Sequence, residues 1–290
     1  MAVVADTLID EPRRRFSLWQ AIRRNPTITF GAVLLALLVL LAIFGPQFVG
    51  DPFKISPRDR LRPPSERFWF GTDQFGRDVF TRTVWGARVS LIVGLSVAAI
   101  SSILGLALGL LCGYFRRVDG FVMRIMDGVM AIPSILLAIA LITLTKPGLG
   151  IVIVAIVIPE VPRIVRVVRA VVLSIRAQPY VESAIAGGTR HVRLLVRHVL
   201  PNTLAPLIVQ ATYVCASAML IESGLSFLGA GVPPEVPSWG NIIAQGRTFF
   251  QIAPWNILIP GSFLAVTVLA VNLLGDGLRD RLDPRLARRL

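Results

Sequence analysis

The chain has 290 residues, a formal net charge of +13, an apolar content of 54% and a mean hydropathy of +0.70. Four charge-free runs of 21 to 26 residues reach the length of about 20 residues that a helix needs to cross a bilayer; they lie at 25–50, 89–113, 201–221 and 251–275. These runs exclude a soluble globular domain. Because a helix satisfies its backbone hydrogen bonds within one lipid-facing segment, the predicted class is an all-α polytopic membrane protein.

Six transmembrane spans are predicted. In chain order they cover residues 27–49, 89–113, 123–145, 148–172, 201–227 and 253–275. They form a membrane domain at residues 27–278, with an N-terminal tail at 1–26 and a C-terminal tail at 279–290.

Prolines and charges mark the connections between the spans. The outer loop at 50–88 is too polar to cross the membrane, and a short helix at 78–88 is predicted to lead into the second span. A tight turn is predicted at 114–124. Pro133 predicts a kink in the third span, and the charges and prolines at 159–163 interrupt the fourth.

The distribution of basic residues predicts the topology. Six spans place both chain ends on one side of the membrane. Of the 30 basic residues, 20 lie in the two tails, at 114–124 and at 163–200, so the positive-inside rule makes these segments cytoplasmic. Four tryptophans then lie on the outer side as an aromatic belt: Trp69, Trp85, Trp239 and Trp255. We interpret the positive charge as setting the topology and binding anionic lipid head groups. Nucleic-acid binding is not predicted, because no segment interleaves aromatic and basic residues.

A polar island interrupts the apolar chain at residues 179–202, within a cytoplasmic segment at 173–200. Its sequence is PYVESAIAGGTRHVRLLVRHVLPN. Glycines 187 and 188 predict an elbow between two short helices. The second helix is predicted to be amphipathic, with Val192, Leu195, Val196 and Val199 on one face and Arg190, Arg193 and Arg197 on the other. Pro201 is predicted to end that helix and to begin the fifth span. One interpretation is a basic helix on anionic lipid; the other is a docking element that needs a defined turn and an orienting charge.

The island resembles the EAA motif of permease subunits in ABC importers. The positions that match this motif are Glu182, Ser183, Ala184, Gly188, Leu200 and Pro201. Ser183 replaces an alanine of the pattern, and His198 stands at a position that is usually hydrophobic. Three further stretches are similar to the second, C-type permease of dipeptide, oligopeptide and nickel importers. They are FGTDQFGRDVFTRTVWGARVSL at 70–91, ESGLSFLGAGVPPEVPSWGNII at 222–243 and NLLGDGLRDRLDPRL at 272–286.

This resemblance implies the type I ABC importer permease fold, with the island as a coupling helix that docks on an ATP-binding subunit. Glu182 would orient the contact and Gly188 would form the elbow. The implied partners are a second homologous permease, two ATP-binding subunits, an external substrate-binding protein and the lipid bilayer of a bacterial cytoplasmic membrane. ATP and magnesium would be used by the partners, since this chain has no G-x-x-x-x-G-K-[ST] motif and no cofactor of its own is expected. The implied cargo is a dipeptide or oligopeptide, with nickel as the alternative.

Two carboxylates within predicted spans are candidates for the translocation path, because charges inside membranes are costly. Glu222 lies toward the outer end of the fifth span, where hydration or pairing with a neighbouring helix is the alternative. Glu160 lies between Pro159 and Pro162, and an ion pair with Arg163 is the alternative there.

Small and aromatic residues indicate packing. Gly105, Gly109 and Gly113 form a ridge on the second span that allows another helix to approach closely. The outer SWGN segment at 238–241 either meets an arriving binding protein or anchors its loop.

Neither a metal site nor a catalytic site is predicted. His191 and His198 lack cysteine or carboxylate neighbours at metal-ligand spacing, and Cys112 and Cys215 lie in apolar runs as free thiols. An ion-coupled secondary transporter would predict inverted repeats, and an intramembrane enzyme would need paired catalytic groups. Neither pattern is present in the sequence.

Overall fold

A computed structural model describes residues 26–145 and 148–282, which form α-helices and helical turns with no strand in these two ranges. The helices are α1 (Pro26–Phe48), α2 (Val79–Tyr114), α3 (Arg116–Met130), α4 (Ser134–Thr143), α5 (Leu149–Arg176), α6 (Pro179–Ala186), α7 (His191–Leu194), α8 (Leu200–Phe227), α9 (Trp239–Gly246) and α10 (Trp255–Leu282). The predicted all-α class is confirmed. Most of the predicted N-terminal tail and residues 283–290 of the C-terminal tail lie outside the described residues.

Four helices are long and apolar enough to cross a membrane: α1, α2, α10 and the continuous helix His191–Phe227. The pair α3 and α4 provides a fifth span if the two are counted together across their 86° bend. The remaining predicted span is α5, a helix of 28 residues with a length of about 42 Å. It is not among the helices that are apolar enough to cross a membrane, so the fourth span stays a prediction.

The predicted turn at 114–124 is wrong, because only Phe115 interrupts the helical chain. Its extended backbone ends α2, and α3 begins at the next residue. Helix α3 mixes charged and apolar positions. Asp119 lies in its first turn, where a negative charge interacts favourably with the positive end of the helix dipole. The amphipathic sequence therefore extends the helix through the segment that its charges suggested was a turn.

The predicted kink at Pro133 is a complete break. Pro133 lacks an N–H group and disfavours the helical conformation of Ile132, so α3 ends at Met130 and α4 starts at Ser134. The short helix predicted before the second span is the first part of α2, a single helix of 36 residues. Asp78 caps it by accepting hydrogen bonds from the backbone N–H groups of Phe80 (3.3 Å) and Thr81 (3.1 Å).

Helix α2 lies between α5 and α8, and its glycines set the spacing. A Cβ atom on Gly105, Gly109 or Gly113 would lie 2.5 to 2.6 Å from a side-chain atom of α5. The facing residues are Ile164, Val168 and Val172, in that order. The ridge thus packs on a helix of the same chain, and the two helices run parallel.

Helix α9 and Trp239 close the end of the bundle at which α2 begins. This side chain is 0% exposed, and its Nε1 donates to the Thr83 carbonyl at 2.9 Å. Trp239 is therefore a core residue, and its predicted place in an aromatic belt is wrong. Buried Asn241 donates to the carbonyls of Val232, Pro233 and Val236 at 2.9 to 3.0 Å. These contacts favour the anchoring interpretation of the SWGN segment.

Candidate coupling segment and membrane-embedded charges

The first half of the island is a helix that ends in a glycine elbow. At the end of α6, the N–H of Thr189 donates to the Ala184 carbonyl and the N–H of Gly188 donates to the Ile185 carbonyl, both at 3.0 Å. This pair of bonds is the Schellman arrangement, and Gly188 takes the left-handed conformation it requires, with φ of 75°. A Cβ atom at Gly188 would meet nothing within 4 Å. Glycine is therefore required by the backbone conformation and not by space.

The second half of the island continues into α8. A π-helical segment, Leu195–Val199, joins α7 to α8, so the prediction that Pro201 ends the helix is wrong. Pro201 lies inside the continuous helix His191–Phe227, where its missing N–H removes one helical hydrogen bond. The Asn202 side chain donates to the His198 carbonyl at 2.6 Å. The π segment directly before the proline accommodates it without a break in the helix.

The π segment also shifts the buried face of the island. Leu194 and Val199 are both 0% exposed, and they are five residues apart, as i→i+5 geometry favours. Val192 and Val196 are 73% and 58% exposed, so the predicted apolar face is wrong at these two positions. Tyr180 and Ile185 of α6 are also exposed, so the island carries four exposed apolar side chains.

The residues that match the EAA motif differ in their surroundings. Glu182 is exposed on α6, and within the described part of the chain its carboxylate forms no ion pair. The Ser183 hydroxyl donates to the Pro179 carbonyl at 2.8 Å, and Ala184 is half-buried. Leu200 and Pro201 begin α8, well away from Glu182 along the chain.

The island is attached to the end of α2 through His191, and Arg176 joins the same end of α2 to α5; sequence reasoning missed this role of His191. The Tyr114 hydroxyl lies 2.5 Å from Nδ1 of His191, at the end of α2. Arg176, the last residue of α5, donates to the carbonyls of Tyr114 (2.8 Å) and Gly113 (3.2 Å). These contacts connect α7 to α2 and, through the end of α2, to α5. No local pattern signals a contact between residues 77 apart.

Glu160 is completely buried in α5 and forms the predicted ion pair with Arg163. Its Oε1 accepts from Arg163 Nη1 at 2.8 Å and from the Ser217 hydroxyl of α8 at 3.5 Å. Its Oε2 has no hydrogen-bond partner among the described residues. Two further ion pairs follow toward the end of α5.

Those two pairs connect α5 to α3. Arg166 contacts Asp127 at 2.5 Å, and Arg169 donates to both oxygens of Asp119 at 2.5 and 2.7 Å. Sequence reasoning named Glu160 and Arg163 but missed this continuation. The i, i+3 spacing from 160 to 169 is the signal that identifies it.

Glu222 is also completely buried, and it holds α9 against α8. Its Oε1 accepts from the hydroxyls of Ser226 and Ser238, both at 2.9 Å. A Cβ atom on Gly240 would lie 3.3 Å from Oε2. In this structure the carboxylate is enclosed by its neighbours and does not face an open channel.

The thiols and imidazoles form no metal site in the part of the chain that the structure describes. Cys112 and Cys215 are buried free thiols on α2 and α8. Among the described residues, no three His, Cys, Asp or Glu side chains are placed to hold a metal ion.

The family described as binding-protein-dependent transport system inner membrane component matches residues 105–288, which is more than half of the chain. The N-terminal TM domain of oligopeptide transport permease C matches residues 15–64. The chain belongs to this family of inner-membrane permeases. The permease resemblance predicted from the island and the other motifs is confirmed.

Individual relatives agree with this assignment. The permease is 54% identical over 290 residues to a Sinorhizobium fredii protein named "Probable peptide ABC transporter permease protein", with 100% of both chains covered. It is 42% identical to the dipeptide transport system permease protein DppC of Alkalihalophilus pseudofirmus, over 92% of this chain and 89% of that protein. It is 36% identical to the oligopeptide transport system permease protein OppC of Bacillus subtilis, over 95% and 92% of the two chains.

A solved structure shows the same fold. The inward-facing MetNI methionine ABC transporter matches with a TM-score of 0.58 and 20% identity, over 70% of this chain and 96% of that chain. At this identity the likeness concerns the fold alone. It confirms the type I ABC importer permease fold, and the permease is a multi-pass membrane protein.

Proposed function

We propose that this permease moves dipeptides or oligopeptides into the cytoplasm as one transmembrane subunit of an ATP-driven importer. The cargo is inferred from the relatives, whose names refer to peptides, dipeptides and oligopeptides. The identity of 54% over the whole chain supports carrying the peptide cargo over.

The island is proposed to be the docking element for an ATP-binding subunit. The observation that carries this proposal is the combination of a rigid Schellman elbow at Gly188 with an exposed, unpaired carboxylate at Glu182. An amphipathic helix that lay on lipid would need neither feature. The exposed apolar side chains of Tyr180, Ile185 and Val192 fit a protein groove, which buries apolar anchors of this kind.

The docked island is proposed to move the membrane helices through its attachment at His191. Tyr114 connects His191 to α2, and Arg176 connects the same point to α5. Nucleotide-driven closure of the ATP-binding subunits would pull on α6 and α7. Through the contacts at Tyr114, this movement would reach α2 and α5. ATP and magnesium are used by those subunits and not by this chain.

The complete assembly is proposed to contain a second homologous permease, two ATP-binding subunits and an external substrate-binding protein. Both chain ends and the island are proposed to be cytoplasmic, in a bacterial cytoplasmic membrane. The basic residues of the island and of the α5 terminus support this orientation.

Of the two buried carboxylates, Glu160 is proposed to lie at the translocation path. It is paired with a partly exposed arginine in a helix that carries Pro159 and Pro162. The serine contacts of Glu222 favour a role in holding α9 closed over the outer end of the bundle.

Co-purification tests the docking proposal. The permease is expressed with its ATP-binding subunits, and the subunits retained on the tagged permease are measured for wild type, Glu182→Gln and Glu182→Arg. We expect Glu182→Gln to weaken retention and Glu182→Arg to abolish it. The matched control is Glu235→Arg, which reverses an exposed carboxylate in the outer loop. Retention that survives Glu182→Arg as well as it survives Glu235→Arg would contradict the docking role.

A further inference from the structure

The ion pair of Glu160 and Arg163 lies near the middle of the membrane. Gly105 packs on Ile164, and α2 and α5 run parallel, so one turn earlier Glu160 lies level with Ser101. Ser101 is the central residue of the charge-free run at 89–113. Arg163 lies about 4.5 Å farther along α5, still well inside a hydrocarbon core of about 30 Å.

This position excludes lipid as the surroundings of Arg163. Its side chain is 44% exposed on the isolated chain, and a charge exposed to lipid at this depth is too costly to persist. Pro159 and Pro162 lie beside it in α5, which continues as one helix through both prolines. A charged side chain within a membrane span faces the bundle interior or a water-filled cavity, and such residues mark the route of a transported solute. The exposed part of Arg163 is therefore assigned to the path.

The geometry leaves most of the guanidinium free to bind cargo. Arg163 donates a single hydrogen bond, from Nη1 to Glu160. Within the described residues Nε and Nη2 make no hydrogen bond, so one edge of the planar fork is open. Arg169, by contrast, uses two nitrogens on Asp119 and is fully engaged. A planar fork with two free donors matches a carboxylate, which accepts two parallel hydrogen bonds.

Glu160 fixes this fork in place. It is buried, it is held by Ser217 as well, and its Oε2 is unpartnered. A buried carboxylate with spare acceptor capacity keeps the guanidinium in place while its free edge binds a second anion. Without Glu160 the long arginine side chain would be free to change its position.

We propose that Arg163, positioned by Glu160, binds the C-terminal carboxylate of the peptide as it crosses the middle of the membrane. The permease then selects for cargo with a free carboxyl end, in addition to any selection by the external binding protein. Arg166, which is 46% exposed, lies one turn nearer the cytoplasm and can receive the same group next. This inference rests on the proposed peptide cargo, since a peptide supplies the carboxylate.

The experiment compares one tripeptide as its free acid and as its C-terminal amide. Uptake is measured in proteoliposomes that hold the complete transporter, with the same binding protein saturated by either peptide. For wild type we expect the free acid to be taken up at least about tenfold faster, since a charge-assisted bond is replaced by a neutral one. Arg163→Gln should reduce this ratio to near one, and Arg163→Lys should give an intermediate ratio. Glu160→Gln should also lower the ratio, as a positioning role requires.

The matched control is Arg117→Gln, which removes an exposed positive charge from α3 and should leave the ratio unchanged. If the wild-type assembly imports neither peptide, the proposed cargo is wrong. If wild type imports both peptides at the same rate, peptide import stands and carboxylate recognition is overturned, whether or not the variants assemble. An unchanged ratio in assembled Arg163→Gln overturns it equally.

Discussion

The close packing of α2 on α5 predicts a large effect of a very small substitution. An ideal Cβ atom on Gly109 would lie 2.6 Å from Cβ of Val168 and 3.1 Å from the carbonyl oxygen of Val165. Carbon atoms normally pack about 3.5–4.0 Å apart, so Gly109→Ala must push the helices about 1 Å apart at this point. The ridge contacts of Gly105 and Gly113 would loosen with it. Overpacking of this kind costs about 1–3 kcal/mol, and 1.4 kcal/mol is a factor of about ten in the folding equilibrium.

The free energy of unfolding is measured by titrating the purified permease from mild detergent into denaturing detergent. We expect Gly109→Ala to be destabilised by about 1–3 kcal/mol. Val168→Gly removes the Cβ atom that Gly109→Ala would meet, together with both valine methyl groups, so the double variant should recover part of the loss caused by overpacking. A double-mutant cycle then gives the coupling between the two positions.

The control is Gly261→Ala in α10, where an added Cβ would meet nothing within 4 Å and stability should be almost unchanged. Equal stability of Gly109→Ala and Gly261→Ala would refute the packing of α2 on α5. An additive double variant would show that positions 109 and 168 do not touch.

Substitutions at three further positions test the end of the bundle that holds Asp78, Trp239 and Glu222; those at Asp78 and Trp239 use the same unfolding measurement, and those at Glu222 use proteolysis. Asp78→Ala removes the cap of α2 and its bonds to Thr81, and should cost about 0.5–2 kcal/mol, whereas Asp78→Asn should cost less. Trp239→Phe leaves the buried Thr83 carbonyl without its indole donor and should cost about 1–3 kcal/mol; no loss would place Trp239 at the membrane surface. Glu222→Gln keeps an oxygen for the two serine hydroxyls and should be tolerated. Glu222→Ala should loosen α9, which is seen as faster proteolysis of the loop at 228–238; equal proteolysis of the two variants would contradict the role of Glu222 in holding α9.

Local sequence signals predicted the features that depend on neighbouring residues. Charge-free runs identify α1, α2, α8 and α10, because the cost of a charge in lipid acts residue by residue. The glycine pair in the island identifies an elbow, because a left-handed conformation is a property of one residue. The pair of Glu160 and Arg163 follows from a spacing of three along one helix.

Features that depend on tertiary contacts were not predicted. Pro201 does not end the island helix, because a π segment directly before it accommodates the proline. Leu194 and Val199 are buried instead of Val192 and Val196, which are exposed. Trp239 is buried because α2 offers it a glycine and a carbonyl from residues about 150 positions earlier. A periodic pattern contains no information about such partners.

The measurement that tests coupling most directly is the ratio of peptide uptake to ATP hydrolysis in Gly188 variants of the complete transporter. A side chain in the left-handed conformation costs about 1–2 kcal/mol, and asparagine tolerates it best. We predict that Gly188→Val assembles and hydrolyses ATP but loses most of its uptake per ATP, while Gly188→Asn stays close to wild type. Gly187→Ala is the control, since its φ of −74° suits any residue. Normal uptake per ATP in Gly188→Val would contradict the role of the elbow and, with it, the island as the coupling element.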